Sequence, residues 1–238
     1  MNALNSTAIL LFANSSRQEL VCKSIVRSEK LFDILTQVTL GKARRTGLPV
    51  FHFTEKEQIG SNFGERFTNA MTAIYDIGFH NIIVIGNDTP QLTTQHLTYT
   101  AKQLAIGKPV IGGSIDGGFY LLGLQRVNFD SNDLKNLPWQ RFGLFNQISL
   151  SLKKKSLEVV LLPVLQDLDT EKDLKSILSF SYSLSTTLLL LILSILRNIE
   201  HLYYTLHNYI DSYATRCYFN KGSPANSFIP IPLYPTVG

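Results

Sequence analysis

The carboxylate best placed for chemistry is Asp88. It follows an apolar β-branched run, Ile82 to Ile85, that stops at Gly86 and leads through Asn87 to Asp88, Thr89 and Pro90. Such a run reads as a strand buried on both faces, the kind found in parallel sheets. Ligands of open α/β sheets bind outside the carboxyl ends of the strands. An acid delivered there, behind a glycine that lets the backbone turn, is suited to hold a divalent metal or a ligand hydroxyl. The plainer reading is an acid that caps the next helix or shapes the turn before Pro90.

Asp116-Gly117-Gly118-Phe119-Tyr120 is a second such group. A carboxylate with two glycines gives a tight bend that a ligand can approach closely, although Asp-Gly is also a common hairpin turn. Between Gly60 and Ala70 a glycine-bearing loop runs into a helix, whose N–H groups and positive dipole end suit a phosphate. Arg66, in the first turn, would add a charge-assisted contact; the alternative is a capped helix with Glu65 and Arg66 exposed. The Gly60, Gly64 spacing matches neither a Walker loop nor a Rossmann fingerprint. Asp167 and Asp169 lie just beyond a further apolar strand. Two acids one residue apart can share a metal or serve as helix N-terminal acids, and for Asp167 the helix role is the expectation.

Composition narrows the function classes. The 238 residues suffice for one α/β domain plus an extension, and 45% hydrophobic residues support a full core. A net charge of +4 is a mild basic bias without arginine–aromatic interleaving, so nucleic acid is not an expected partner. Lys153 to Lys155 reads as a solvated helix end. Cys22 and Cys217 are too few and too far apart for a disulfide framework or a zinc site, which fits a reducing, cytoplasmic compartment. His52, His80, His96, His201 and His207 show no metal-ligand spacing, and there is no Gly-x-Ser-x-Gly or Cys-x-x-Cys. Covalent hydrolase, zinc and redox chemistries are unsupported. Met1 to Ser6 lacks the basic flank and apolar core of a secretory signal.

These residues need a scaffold, and strand and helix signals alternate through the first two-thirds of the chain. Strands are predicted at Thr7–Phe12, Pro49–Phe53, Asn81–Ile85 and Val110–Gly112. Helices are predicted from Ser28 to Arg44-Arg45, at Gly64–Asp76 and at Thr93–Leu104. That pattern predicts a parallel sheet covered on both faces, with right-handed crossovers gathering the strand ends. Arg66, Asp88 and Asp116 are therefore expected to line one cleft. After Gly113, Phe119–Leu124 reads as a hairpin or mixed-sheet strand, Leu137–Trp139 as extended, Phe142–Leu152 as helical and Glu158–Leu162 as the last strand. Thr170 and Asp173 resemble a capping box.

Beyond them, Tyr182–Asp211 reads as an amphipathic helix or helix pair. Ser194, Arg197 and His201 lie on its polar stripe, and Leu189, Ile192, Leu193 and Leu196 on its apolar one. Ser176–Leu196 is uncharged and long enough to span a bilayer, but the polar stripe favours a protein-packed helix and a soluble chain. The tail 214–238, with its prolines, is expected to be loosely ordered.

Taken in order, Gly64-Glu65-Arg66-Phe67-x-Asn69-Ala70, Ile85-Gly86-Asn87-Asp88-Thr89-Pro90-x-Leu92, Asp116 to Leu124, Pro138-Trp139 and Asp167-x-Asp169-Thr170-x-x-Asp173-Leu174 resemble the core motifs of the rSAM/selenodomain-associated transferase type family. These are predicted glycosyltransferases of GT-A fold, distantly similar to 2-phospholactate and molybdenum-cofactor guanylyltransferases. The likeness covers roughly residues 7 to 178. It implies a three-layer α/β/α sandwich with a mostly parallel mixed sheet in residues 1–180, while the helical extension at 181–213 and the tail at 214–238 fall outside the resemblance. It also implies a nucleotide-diphosphate sugar or nucleoside triphosphate at the strand ends and an unknown acceptor. Mg2+ or Mn2+ would lie on Asp88 and Asp169, and Asp116 would be catalytic. Asn14, Arg66, Asn87, Gly117, Gly118 and Trp139 would contact substrate. A homodimer through the C-terminal helix is a further expectation.

One departure is serious. Relatives follow the first strand with an Ala-Lys-x-Pro-x-x-Gly-x-x-Lys-Thr-Arg-Leu type of loop that handles phosphates. Here Phe12 to Ser24 lacks the proline and glycine and keeps only Arg17 and Lys23. Each lost charged hydrogen bond is worth about 1.5–3 kcal/mol. The readings left open are a glycosyltransferase-like enzyme, a nucleotidyltransferase of the same fold and a non-catalytic binding protein.

Overall fold

The alternation of side chains along Ala8–Leu11 and Ile82–Val84 sets the layers. In the computed structural model, which describes residues 6–23 and 29–197, Ala8, Leu10, Ile82 and Val84 enter one apolar cluster and Ile9, Leu11, Ile83 and Ile85 another. A strand with both faces buried has to sit inside a sheet with helices above and below. Strands β1 (Thr7–Phe12), β2 (Val50–Phe53), β3 (Asn81–Ile85), β4 (Val110–Ser114), β5 (Phe119–Gln125) and β6 (Val160–Leu165) form that sheet in the order β2-β1-β3-β5-β4-β6. Only β5 runs antiparallel to its neighbours, pairing β3 on one side and β4 on the other. Helices α1 (Ser16–Cys22), α2 (Glu29–Arg44), α3 (Phe63–Asp76), α4 (Thr94–Ala105), α5 (Ser131–Lys135), α6 (Leu144–Lys154), α7 (Glu171–Ile177) and α8 (Thr186–Arg197) complete the described chain. Residues of α3, α5 and α6 fill the first cluster and residues of α2 and α4 the second. The result is a three-layer α/β/α sandwich with a mixed, mostly parallel sheet.

The chain runs from β1 to β2 on one side and then crosses to β3 on the other. The switch point therefore lies between β1 and β3, where such sheets open a crevice at their carboxyl ends. A third cluster joins Phe32 and Leu35 of α2, Leu174 and Ile177 of α7, and Leu188 and Ile192 of α8. Among the described residues no helix is long and apolar enough to cross a membrane. The expected continuation of the amphipathic helix from Asn198 to Asp211, and the tail 214–238, lie outside the described residues.

Several boundaries differ from expectation for local reasons. Leu137–Trp139 is a turn, not an extended piece. The N–H of Trp139 donates to Leu137 O at 2.7 Å and its indole to Leu134 O at 2.7 Å, which folds the segment onto α5. Strand β6 begins later and runs on to Leu165 because its parallel register pairs Val110 with Val160 and Ser114 with Leu165. Helix α6 starts at Leu144, behind Gly143 in the left-handed region. Within Phe12 to Ser24, expected as the counterpart of a phosphate loop, Ser16–Cys22 closes into α1. Ser15 caps that helix.

Phe12, Phe63, Phe67, Phe119 and Trp139 form one aromatic group, with Trp139 4.8 Å from Phe67 and 5.1 Å from Phe63 between ring centroids. Gly64 makes that packing possible, since a Cβ there would lie 2.6 Å from the Trp139 ring and 2.7 Å from Lys135 O. Gly64→Ala is expected to cost about 1–3 kcal/mol, as overpacking does, and to shift the fluorescence of Trp139, the single tryptophan. Urea unfolding and emission spectra check this, and an unchanged spectrum contradicts the packing.

Candidate functional site

A cleft of about 580 Å3 opens at the carboxyl ends of β1 and β3. Asn14, Arg66, Asn87, Asp88, Asp116, Gly118, Trp139 and Asp169 all line it. Gly117 does not. With φ +89° it carries the turn between β4 and β5, its N–H donating to Ser114 O and its carbonyl accepting from Phe145 N–H. Asp116 stands on the rim of that turn and accepts the Gly118 N–H at 2.9 Å, so the hairpin role and a place in the cleft coexist. Asn87 is buried and donates to Thr36 Oγ1 at 2.9 Å, which fixes the start of the β3–α4 loop on α2.

Asp88 and Asp169 meet around a cation, but the cation is Lys23. The Lys23 Nζ lies 2.7 Å from Asp88 Oδ2, 2.8 Å from Asp169 Oδ1 and 3.3 Å from Leu168 O. Glu19, one helical turn back on α1, lies 3.9 Å away. Burial pulls the pKa of Lys23 down, yet the charges of Asp88, Asp169 and Glu19 outweigh it and hold the pKa well above the ordinary lysine range. Burial raises the pKa of Glu19, against the pull of Lys23, and the charge of Asp88 raises it further. Asn14 donates to the Glu19 carboxylate from its side chain and backbone.

Asp167 departs from the helix role expected of it. Helix α7 is capped by Thr170, with Asp173 closing the box. Asp167 instead lines the cleft and accepts the Thr89 hydroxyl. Burial first, and the charge of Asp88 second, push its carboxyl up to about 7. Sequence reasoning also passed over Glu19, Glu55 and Arg141. The i, i+4 spacing of Glu19 and Lys23 was the available signal for the first of these. Glu55 takes both Ser15 groups, N–H at 2.7 Å and hydroxyl at 2.8 Å, and so occupies the start of α1. Arg66 and Arg141 both line the cleft, and neither forms an ion pair with a described residue.

The Mg2+ or Mn2+ expected from the sequence resemblance meets a different arrangement here. The oxygens of Asp88 and Asp169 are hard donors of the right kind, but the position they share is filled by an ammonium of the same chain. Among the described residues no group of three or more His, Cys, Asp or Glu could hold a metal ion. The residues as arranged do not fit a divalent cation.

Two outcomes follow from the charges. Lys23, whose side chain is 13% exposed, shields two acids, so Lys23→Met leaves them facing one another. The expected loss is about 3 kcal/mol, the low end for breaking a buried pair, because Asp169 is 46% exposed and water takes up part of its charge. Urea unfolding measures it, and a loss near zero removes the bridge from the stabilising interactions. Asp167 keeps its proton in the folded state at pH values where the unfolded chain has lost it. Its contribution therefore falls as pH rises from about 4, the unfolded carboxyl value, to about 7. Asp167→Asn should be more stable than the parent at pH 8 by at least about 1 kcal/mol, the worth of one pKa unit. The gain should vanish near pH 4. Equal pH slopes in the two chains would contradict it.

The model of a family described as "Uncharacterized protein conserved in bacteria (DUF2064)" matches residues 35–141. Comparison with curated proteins finds no match. Among solved structures, a candidate nucleotide-diphospho-sugar transferase from Desulfovibrio desulfuricans G20 is 21% identical, with a TM-score of 0.68 over 84% of this chain and 98% of that one. Rv0371c from Mycobacterium tuberculosis H37Rv, in complex with manganese, is 14% identical, with a TM-score of 0.43 over 73% of this chain and 97% of that one. A cytidylyltransferase from Leptospira borgpetersenii serovar Hardjo-bovis (strain JB197) is 15% identical, with a TM-score of 0.42 over 82% and 98%. The first of these likenesses identifies the fold: the chain has the GT-A-like architecture of nucleotide-diphospho-sugar transferases.

Proposed function

We infer that the chain is a glycosyltransferase-like protein of the rSAM/selenodomain-associated type, which binds a nucleotide-diphosphate sugar across the cleft and passes the sugar to an acceptor. The observation that carries this reading is the pair Arg66 and Arg141, two guanidiniums in the cleft that pair with no described carboxylate. Guanidiniums bind phosphate oxygens bidentately, with short charge-assisted hydrogen bonds. In the transfer, the bond between the sugar carbon and the diphosphate oxygen breaks and the acceptor oxygen bonds to that carbon. Negative charge grows on the diphosphate, where the two guanidiniums stabilise it. Asp116, exposed on the rim of the same cleft, takes the acceptor proton. A divalent metal could reach the position between Asp88 and Asp169 only if Lys23 left it.

A second reading, a binding protein without transferase activity, is favoured by Glu55. Its carboxylate holds the Ser15 N–H and hydroxyl, at the place where relatives present a phosphate loop. The third, a nucleotidyltransferase, shares the fold and breaks a different phosphate bond.

Thermal shift with a panel of nucleotide sugars and nucleotides, each with and without Mn2+, tests the reading. A donor at about 100 times its Kd adds about 2.7 kcal/mol to apparent stability, and the joint variant Arg66→Ala, Arg141→Ala should lose that shift. Labelled substrates separate the rest: sugar transfer without pyrophosphate supports the glycosyltransferase, pyrophosphate release the nucleotidyltransferase, and binding without turnover the binding protein. A panel in which no nucleotide or nucleotide sugar shifts the melting temperature rejects all three.

A further inference from the structure

We propose that Lys23 is a resident cation that stands in place of a divalent metal, so that the site between Asp88 and Asp169 excludes Mg2+ and Mn2+. The ammonium has three protons, and each has an oxygen acceptor: Asp88 Oδ2 at 2.7 Å, Asp169 Oδ1 at 2.8 Å and Leu168 O at 3.3 Å. Two carboxylates and a main-chain carbonyl converging on one point are hard oxygen donors, the set that Mg2+ and Mn2+ favour. The chain thus builds the oxygen half of a metal site and supplies the positive charge from α1. A metal ion and the ammonium cannot share the position, because each would be in near-contact with a like charge.

The placement is held by two further contacts. Glu19, four residues before Lys23 on α1, lies 3.9 Å from the ammonium and sets its approach. The β6–α7 loop is tied to the β3–α4 loop by Leu168 N–H donating to Asp88 O at 2.9 Å, which fixes the two carboxylates relative to one another. With its protons committed, Lys23 neutralises acids and fastens loops. Contact with an anionic ligand falls to other cations of the cleft. The proposal concerns the chain alone and does not depend on the nucleotide-sugar reading, since its test contains no nucleotide.

Electron paramagnetic resonance of free Mn2+, titrated into the full chain, supplies the test. The parent should leave the Mn2+ signal undiminished, whereas Lys23→Met should bind one ion at least about tenfold more tightly, as affinity follows the charge and number of oxygen ligands. Adding Asp88→Asn to Lys23→Met should abolish that binding. If Lys23→Met is too unstable to titrate, Lys23→Gln keeps a hydrogen-bonding group between the acids and is read in the same way. A parent chain that binds one Mn2+ as tightly as the variant overturns the proposal. So does a folded Lys23 variant that binds none.

Discussion

Two loops that leave the sheet on strands separated by β5 and β4 meet because one ammonium holds both. The β3–α4 loop brings Asp88 and the β6–α7 loop brings Asp169, and Lys23 closes 2.7 and 2.8 Å contacts to them. The β6–α7 loop reaches that far because its backbone is tied down along the strand ends. Ile115 N–H donates to Leu165 O, Gln91 Oε1 accepts from Gln166 N–H, and Leu168 N–H reaches Asp88 O. Buried charges are tolerated only when paired and hydrogen-bonded. Without the lysine, this set of bonds would crowd carboxylates together with nothing to neutralise them.

The rest of the cleft depends on a second constraint, the aromatic group around Trp139. Phe12 ends β1, Phe63 and Phe67 open α3, and Phe119 starts β5, so the group ties the strand ends to a helix start. Arg66 and Arg141 flank it in sequence: Arg66 directly precedes Phe67 and Arg141 lies two residues past Trp139. The packing that rigidifies that part of the cleft is therefore the packing that positions its positive charge. Gly64 contributes by what it lacks, since its bare Cα lets the indole lie against the first turn of α3.

Much of this was legible in the sequence, and the reasons differ from element to element. Strand β3 could be read because an unbroken β-branched run has few alternatives, and its end at Gly86 put Asp88 in the right place. The α7 cap was legible because Thr170 and Asp173 carry their chemistry in their spacing. The partner of Asp88 was not. Nothing local to Lys23 says that its side chain will meet residues 65 and 146 positions away, since that depends on crossover geometry and on a loop with no periodicity. Asp167 was misjudged for a related reason. Its distance from Thr170 allows either a helix acid or a cleft acid, and only the Thr89 contact across the sheet decides.

The charge balance of the cleft shows how those pieces act together. Glu19, Asp88, Asp116, Asp167 and Asp169 line it, against Lys23, Arg66 and Arg141. Taken as a uniform field, that surplus of acid would repel a diphosphate. The field is not uniform. Lys23 consumes two of the carboxylates at hydrogen-bond distance, and burial with the charge of Asp88 keeps a proton on Asp167 up to about 7. Asp116 is partly committed to the Gly118 N–H. The guanidiniums, by contrast, carry no compensating partner among the described residues, so their charge remains available at the aromatic side of the cleft. An anion bound in the cleft would face those two guanidiniums against acids that are for the most part already paired or protonated, which is the electrostatic condition that the proposed phosphate binding requires.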